Sequence, residues 1–154
     1  MRLWRIASPK WALDKSCEGS KVYGGRWNPP GFGALYAGFS VEISVLEKFV
    51  HLEGIHFPPL KLVSVDVPDV SSLFFRPSLD ELPKDWASLP VSSSSQDFGK
   101  VWLQSKQQMV MVVPSAILPE AQNAVINPLH SSYSKVKLSS VRDFSFDVRM
   151  LKTR

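Results

Sequence analysis

Residues 24–54, which read GGRWNPPGFGALYAGFSVEISVLEKFVHLEG, contain a shaped loop, a short strand and a helix in succession. Residues 24–33 are too rich in glycine and proline for a helix or a central strand, so they predict a loop of defined shape. Residues 35–37, Leu-Tyr-Ala, follow as a short strand. Residues 41–53 then show the apolar spacing of a helix that buries one face.

The helix predicted over residues 41–53 has recognisable ends, because Ser40 is a suitable N-cap and Gly54 a suitable stop. At about 100° per residue its apolar side chains form one arc. The arc consists of Val41, Ile43, Val45, Leu46, Phe49, Val50 and Leu52. Glu42 suits the positive end of the helix dipole. Glu47 lies just beyond the edge of the arc, where a carboxylate is either half-desolvated and directed along a cleft or an ordinary solvated side chain.

The remainder of the chain is predicted to be mostly β-structure. Residues 2–6 and residues 63–67 alternate as strands do, and residues 109–113 form a continuous apolar run typical of a strand buried on both faces. Residues 143–150 alternate apolar with polar side chains, which predicts a further strand. Residues 77–99 are interpreted as mostly loop with one helical turn. The sum is an α+β domain with mixed, short-stranded sheets and a few helices.

Length and composition limit the class of protein. The 154 residues suit one compact domain spanning residues 1–154, and a hydrophobic fraction of 44% excludes wholesale disorder. No apolar run approaches the roughly 18 residues of a membrane span, and the N-terminus lacks the apolar core of a signal peptide. The single cysteine, Cys17, excludes an internal disulfide framework and favours a reducing cytoplasm. The net charge of +4 permits an anionic ligand or nucleic acid but requires neither.

The usual catalytic signatures are absent from the sequence, which has no Walker loop and no GxGxxG, HExxH or GxSxG motif. The three histidines, His51, His56 and His130, do not have zinc-ligand spacing, so no metal site is predicted. Any chemistry must therefore come from individual polar side chains.

Two loops carry polar side chains that a ligand can reach. Arg26 and Asn28 stand on a glycine-shaped backbone, and a guanidinium is a permanent, planar cation that matches phosphate oxygens. Ser115 follows a buried strand, and Asn127 lies in a rigid Ile-Asn-Pro turn. Each also has a purely structural interpretation: an arginine stacked on Trp27 in a surface turn, a capping serine and a turn asparagine.

Seven segments taken together resemble the RES-domain family of bacterial toxins, which is named for its Arg, Glu and Ser residues. In chain order they are LWRI, GGRWNPPG, LYAGFS, EISVLEKFVH, DFGKVWL, MVVPSAILPEAQNAVINPLH and FSFDVR. A single GRWN is a weak signal. Seven segments in the family's order, spread over almost the whole chain, are a specific signal for the family.

The resemblance implies a fold similar to ADP-ribosyltransferase domains and NAD as the substrate. Family members destroy NAD by hydrolysis or phosphorolysis, or transfer its ADP-ribose to a protein. They are usually paired with a helix-turn-helix antitoxin of the Xre type that covers the active site, and they commonly form a homodimer within the larger complex. No separate cofactor is implied, although inorganic phosphate is the co-substrate of phosphorolysis. Neither a membrane nor direct nucleic-acid binding is implied.

The resemblance also implies site residues, each matched through its own segment. Glu47 and Arg26 are implied as catalytic residues. Substrate binding is implied for Arg5 of LWRI, Arg26 of GGRWN, Tyr36 of LYAGFS, Ser115 of VPSA and Asn127 of INP. Glu42 competes with Glu47 for the family glutamate, and the spacing to the Phe-Val-His end of the helix favours Glu47.

The chemistry of NAD explains why a single carboxylate is sufficient. Nicotinamide leaves through its pyridinium nitrogen as a neutral molecule, so it needs no proton, unlike the leaving oxygen in a glycosidase. Glu47 would hydrogen-bond a ribose hydroxyl and stabilise the oxocarbenium-like transition state. Arg5 and Arg26 would hold the diphosphate. Tyr36 would stack against the nicotinamide, and Ser115 would position the nicotinamide ribose or amide.

Two other classes of function compete with NAD cleavage. The basic residues near the C-terminus suggest an RNA-binding or RNA-cleaving toxin. They are spread over both faces of the predicted strand and mixed with Asp143 and Asp147, which is typical of a solvated surface. A pure interaction module with a decayed site is disfavoured because the polar set above is intact.

Overall fold

The computed structural model describes residues 1–52 and 58–151, which form a seven-stranded mixed sheet with three α-helices and confirm the α+β class. The strands are β1 (Arg2–Ala7), β2 (Leu35–Gly38), β3 (Leu60–Asp66), β4 (Phe74–Phe75), β5 (Val110–Pro114), β6 (Gln122–Ile126) and β7 (Lys137–Phe144). The α-helices are α1 (Glu18–Tyr23), α2 (Val41–Val50) and α3 (Ser93–Ser105). Short 3-10 turns occur at Ser71–Leu73, Leu79–Glu81, Tyr133–Lys135 and Val148–Leu151.

The strands lie in the order β4-β5-β6-β2-β1-β3-β7. Neighbouring strands are antiparallel except β4 and β5, which pair in parallel. Several neighbours are far apart in sequence: β2 lies between β1 and β6, and β3 lies between β1 and β7. The sheet is therefore assembled largely from contacts between distant segments.

The interior strand β1 forms very different numbers of residue pairs with its two neighbours, β2 and β3. With β3 it forms six residue pairs along its whole length. With β2 it forms a single pair, Trp4 opposite Gly38. Beyond that pair the strands diverge and leave a gap between residues 5–7 and residues 35–37. The sheet thus consists of two half-sheets, β4-β5-β6-β2 and β1-β3-β7, joined at one point.

Apolar side chains cover both faces of the first half-sheet. On one face, Trp27 of the 24–33 loop and Trp102 of α3 pack against Met111, Val113 and Val125. Alternate residues of the same strands, including Val110, Val112 and Ala124, belong to a core cluster on the opposite face. Residues 109–113 are buried throughout, as the continuous apolar run predicted.

Helix α2 covers the second half-sheet and forms as predicted at its start. Ser40 caps it by accepting a hydrogen bond from the backbone N–H of Ile43 at 3.3 Å. Four members of the predicted apolar arc, Val41, Val45, Phe49 and Leu52, pack against Ile6 and the apolar residues of β3. Val50, also placed in the arc, is 45% exposed. The helix ends at Val50 with His51 as its C-cap, three residues before the predicted end. The predicted stop, Gly54, lies outside the described residues.

The strand predicted over residues 143–150 is wrong. β7 lies earlier, at Lys137–Phe144, and Val148–Leu151 is a 3-10 turn. β7 forms an edge of the sheet and most of its side chains are exposed, so no apolar alternation reveals it. The aromatic residues that suggested a strand, Phe144 and Phe146, instead contact each other with ring centroids 5.1 Å apart and belong to the cluster beneath α2.

The loop predicted over residues 77–99 is only partly correct. This stretch contains the turn at Leu79–Glu81 and also the first half of α3. Ser92 caps α3 by accepting a hydrogen bond from the backbone N–H of Ser95 at 3.2 Å. The serine run conceals the helix, because serine is a poor helix-interior residue and the first large apolar side chain appears only at Phe98. The sequence patterns also do not predict α1, β4 or β6.

Candidate active site

Two adjoining cavities lie along the gap between β1 and β2. The first, of about 230 Å³, is bounded by β1, β2, α2 and β6. The second, of about 210 Å³, is bounded by β1, β2 and residues 8–20. They share Arg5, Ile6, Tyr36 and Lys48, so the two cavities adjoin along a common wall, and together they are called the cleft below. Each cavity is somewhat smaller than the roughly 300 Å³ at which ligand pockets begin.

Helix α2 brings Glu47 into the first cavity. Gly38 allows the helix to lie close to β2, because a Cβ there would be 2.6 Å from Cγ2 of Ile43 and 2.6 Å from Oγ of Ser44. Ser44 also donates a hydrogen bond to the carbonyl oxygen of Trp4 at 2.9 Å. The helix is therefore fixed at the one pair that joins the two half-sheets, Trp4 and Gly38.

Two donors hold one oxygen of the Glu47 carboxylate. Oε1 accepts a hydrogen bond from Oγ of Ser115 at 2.8 Å and another from Nδ2 of Asn123. No hydrogen bond from the described residues engages Oε2, so this oxygen is open to a ligand in the cavity. Glu42, the competing glutamate, is exposed in the first turn of α2 and lines neither cavity.

Ser115 lies behind Glu47 and not on the cavity wall. Its side chain is 0% exposed. Its hydroxyl donates to Glu47 and accepts from the backbone N–H groups of Ile117 at 3.1 Å and Leu118 at 3.2 Å. These contacts occupy the hydroxyl, because it has one proton to donate and two lone pairs. In this structure the hydroxyl orients a carboxylate, and the direct contact between Ser115 and the nicotinamide ribose or amide stays a prediction.

Two cations line both cavities, Arg5 from β1 and Lys48 from α2. Burial lowers the pKa of Arg5, and the weaker influences of Cys17, Asp14 and Tyr133 oppose that shift. Burial, followed by the like charge of Arg5, lowers the pKa of Lys48. Within the described residues no ion pair or hydrogen bond engages either charged group. An anion that entered the cleft would relieve the cost of keeping both groups charged.

Tyr36 faces both cavities, while its hydroxyl is tied to the 24–33 loop. Oη donates to Oδ1 of Asn28 at 2.6 Å and accepts from the backbone N–H of Trp27 at 3.0 Å. Burial raises the pKa of Tyr36 well above its usual range, although the Trp27 hydrogen bond and the charge of Arg26 act to lower it. The hydroxyl is therefore a neutral structural link, and the ring is the part available for stacking.

Arg26 lines neither cavity. Its Nη1 donates to the carbonyl oxygens of Trp86 at 2.6 Å and Ser88 at 3.0 Å. The ring of Trp27, the next residue, stacks on Trp86 with centroids 6.3 Å apart. Arg26 therefore ties the 24–33 loop to residues 86–88, and its expected contact with a diphosphate stays a prediction. The structural interpretation, in which Arg26 stacks on Trp27, also differs from what is observed, because backbone carbonyl oxygens hold the guanidinium.

Two asparagines named in the sequence analysis are buried structural links. Asn28 is 0% exposed and donates through Nδ2 to two backbone carbonyl oxygens, at 2.9 and 2.6 Å. Asn127 is also 0% exposed. It donates to the carbonyl oxygen of Leu103 at 2.8 Å and accepts from the N–H of Leu129 at 2.9 Å. Asn127 lines neither cavity and links the end of β6 to α3, and its substrate contact stays a prediction.

Asn123 and Lys48 line the cleft, although neither was among the predicted site residues. Asn123 stands in β6 just before a run of buried apolar residues, and one polar residue at a strand start carries no functional signal by itself. Lys48 follows Glu47 directly in the helix, which is the only sequence signal for its place in the cleft. Both residues can be recognised as part of the cleft only in the folded structure, where α2 and the two half-sheets meet.

No group of three or more His, Cys, Asp or Glu residues suited to a metal ion is found over residues 1–52 and 58–151. His51 lines the first cavity, and His130 is buried with Nδ1 accepting a hydrogen bond from the backbone N–H of Ser132 at 3.0 Å. His56 lies outside the described residues. Over the same ranges, no helix combines the length and the apolar character that crossing a membrane requires.

The fold and the cleft define a small α+β protein whose sheet opens around a carboxylate, two cations and an aromatic ring. The sequence profile described as the RES domain matches residues 2–148. The chain belongs to the RES-domain family.

Three similar proteins illustrate this membership. The chain is 37% identical over 156 residues to a protein named "Prs ADP-ribosylating toxin" from Sphingobium sp. (strain YBL2), covering 97% of this chain and 96% of the relative. It is 32% identical over 154 residues to a "Toxin Res" from Yersinia enterocolitica, covering 97% and 99%. Among solved structures, a chain of the M. tuberculosis MbcT–MbcA toxin–antitoxin complex has a TM-score of 0.68 at 20% identity. That likeness covers 94% of this chain and 84% of the other, and it concerns the fold.

Proposed function

We propose that this protein is an NAD-consuming toxin of a toxin–antitoxin system, which cleaves the bond between nicotinamide and ribose. The observation that carries the proposal is the meeting of the Glu47 carboxylate, the Arg5 guanidinium and the Tyr36 ring in one cleft. Membership of the RES-domain family supports it, as do the names of the relatives, which are toxins. NAD is the substrate in this proposal, and no separate cofactor is needed.

Glu47 supplies the only charge that the bond cleavage requires. The nicotinamide departs with the electron pair of the C–N bond and becomes neutral, so no acid is needed. Positive charge develops on the ribose, and Oε2 of Glu47, the oxygen without a described partner, accepts a hydrogen bond from a ribose hydroxyl. In a site shielded from water, one such electrostatic contact contributes roughly 3–4 kcal/mol to transition-state stabilisation.

Arg5 and Lys48 hold the diphosphate in this proposal. Both lie on the wall shared by the two cavities, which would place the diphosphate at the centre of the cleft and one nucleoside in each cavity. The Tyr36 ring, on the same wall, stacks against the nicotinamide. Ser115 acts through Glu47 and Arg26 acts through the loop that holds Tyr36, so we propose both as positioning residues.

The acceptor of the ADP-ribose distinguishes three reactions: water gives hydrolysis, inorganic phosphate gives phosphorolysis, and a protein side chain gives ADP-ribosyl transfer. All three share the same cleavage step and differ in which nucleophile reaches the ribose. ADP-ribosyl transfer to a protein is the second candidate, and the name of the Sphingobium relative, an ADP-ribosylating toxin, favours it.

The partner that we propose is an antitoxin protein, since the structural neighbour was solved as a toxin–antitoxin complex. An Xre-type helix-turn-helix antitoxin that covers the cleft, a homodimer within the complex and a cytoplasmic location belong to the same proposal. No direct contact with nucleic acid or a membrane is part of it.

The test is to incubate the purified protein with NAD, with and without phosphate, and to identify the products by mass spectrometry. Free ADP-ribose indicates hydrolysis, a phosphorylated ADP-ribose indicates phosphorolysis, and a mass increment on a protein indicates transfer. We expect Glu47→Gln to lower the rate of NAD loss by about 100-fold or more. Glu42→Gln is the matched control on the same helix and should retain the parental rate. NAD that stays intact with the wild-type protein would contradict the proposal, as would full activity in folded Glu47→Gln.

A further inference from the structure

We propose that Asn123 is a positioning residue, which fixes the Glu47 carboxylate so that Oε2 and not Oε1 meets the ligand. This inference rests on the proposed function, because it assigns Glu47 a reaction to serve. It adds a residue that neither the sequence motifs nor the family resemblance singled out.

The place of Asn123 in the sheet explains how its amide reaches helix α2. β6 lies between β2 and β5, and Asn123 is opposite Gly38 on one side and Val113 on the other. Side chains of directly paired residues project from the same face of a sheet. Because Gly38 has no side chain, helix α2 lies close to this face of the sheet, and the amide of Asn123 donates to Oε1 of Glu47 on the helix.

Ser115 holds the same oxygen from the neighbouring strand. The backbone N–H of Ser115 bonds to the carbonyl oxygen of Ala121 at 2.9 Å, which continues the pairing of β5 with β6. Ser115 and Asn123 are thus diagonal neighbours on one face, and both donate to Oε1. A single donor would leave the carboxylate free to turn about that bond. Two donors from different directions fix its plane, and with it the direction of Oε2.

Asn123 and Ser115 differ in their exposure to the cavity, so Asn123 has a role that Ser115 does not have. Ser115 is 0% exposed behind the carboxylate, whereas Asn123 lines the first cavity. Asn123 is therefore the group that covers Oε1 from the ligand side. Because a carboxylate only accepts hydrogen bonds, the group that faces it must be a donor, and the amide nitrogen supplies one without adding charge.

The decisive variant is Asn123→Asp, which keeps the shape and replaces the donor by a carboxylate. At pH 8 two anions would face each other, and we expect NAD cleavage to fall about 100-fold in kcat with a small change in KM. When the pH is lowered, the pair takes up one shared proton, and the introduced carboxyl group, once protonated, again donates to Oε1. The ratio of variant to wild-type kcat should therefore rise between pH 8 and about pH 5.5.

The matched control is Gln122→Glu, which adds the same charge one residue earlier, where the side chain is exposed. We expect it to follow the wild type at every pH. Asn123→Ala should lose activity with no recovery in acid, since it has no proton to offer. Thermal melts show whether each variant is folded under the conditions of the assay.

A second measurement tests the contact without any turnover. In the NMR spectrum of the ¹⁵N-labelled protein, the side-chain amide signal of Asn123, identified by its loss in Asn123→Asp, should shift in Glu47→Gln and stay in place in Glu42→Gln. An unshifted signal, or a kcat ratio that does not depend on pH, would overturn the positioning role. If wild-type protein leaves NAD intact while the amide signal shifts as expected, the proposed reaction fails and the contact stands.

Discussion

At the scale of single residues, Lys48 lowers the stability of the fold and supplies a positive charge that can bind an anion. Its side chain is half-buried beside Arg5, and burial followed by this like charge lowers the pKa of Lys48. The folded protein therefore holds this proton less tightly than the unfolded chain does. It follows that protonated Lys48 weakens the fold, and that this cost falls as the pH rises towards the ordinary lysine value.

We predict that Lys48→Met raises the free energy of unfolding near pH 7 and weakens the binding of inorganic pyrophosphate by about tenfold, since one of two cations is lost. The stability advantage of the variant should shrink as the pH rises towards the ordinary lysine pKa of about 10.4, because the folded wild-type protein loses the Lys48 proton before the unfolded chain does. Urea unfolding at several pH values and calorimetric titration with pyrophosphate measure the two effects.

Lys21→Met is the control, because Lys21 is an exposed lysine in α1 and lines neither cavity. It should change neither pyrophosphate affinity nor the pH dependence of unfolding. A Lys48→Met protein that is less stable than wild type near pH 7 and binds pyrophosphate equally well would contradict the charge assignment.

At the scale of elements, the contact between α3 and the 24–33 loop depends on Gly99. A Cβ at this position would lie 1.8 Å from the carbonyl oxygen of Trp27 and 2.6 Å from its carbonyl carbon. Backbone atoms cannot swing aside as the end of a side chain does. Since the same loop binds the hydroxyl of Tyr36, the contact at Gly99 also supports one wall of the cleft.

We predict that Gly99→Ala destabilises the protein by about 3 kcal/mol, because the helix must move away from the loop to admit one methyl group. For a domain of this size that loss corresponds to a melting temperature lower by about 6–12 °C. Thermal and urea unfolding measure it. The paired control is Gly19→Ala in α1, where the nearest atom, Cδ2 of Trp11, is 4.0 Å from an added Cβ. Equal stability of the two variants would show that the α3 contact is not tight.

The elements also show where sequence patterns are informative. Helix α2 was predictable because its cap, Ser40, and its apolar arc are local signals. Helix α3 begins with serines, and its register is set by packing against the 24–33 loop, which no local pattern records. The edge strand β7 has exposed side chains on both faces, so alternation does not reveal it.

At the scale of the whole molecule, the cleft arises from strand order. The helical position of Glu47 and the shaped loop of residues 24–33 could be predicted from sequence. The gap could not, because it exists only when β1 lies between β2 and β3 and pairs with β2 at a single position. For the same reason no local pattern indicates the contacts of Arg26 or Asn123, since the surroundings of both residues come from distant segments.

The reactivity of the single cysteine, Cys17, reports how often the folded structure opens. Cys17 is 5% exposed in the main core cluster and forms part of the wall of the second cavity. Burial raises the pKa of Cys17, although a hydrogen bond with Tyr133 opposes the shift. A thiol that is both buried and protonated reacts only when the structure opens.

We predict that iodoacetamide labels Cys17 in the folded protein at least about 100-fold more slowly than in the urea-unfolded chain at the same pH. Mass spectrometry counts one added group per chain, because there is one cysteine. Ser16→Cys in a Cys17→Ala background moves the thiol to an exposed neighbouring position and should be labelled rapidly. Rapid labelling of native Cys17 would show that the second cavity opens without unfolding.

The gap between the half-sheets has an evolutionary consequence. Its two facing edges, residues 5–7 and 35–37, form no residue pairs with each other in the strand ladder. Every amino acid except proline supplies the same donor and acceptor there, so hydrogen bonding to a ligand through these edges survives most changes of side chain. We therefore expect the opening to outlast much of the sequence that surrounds it.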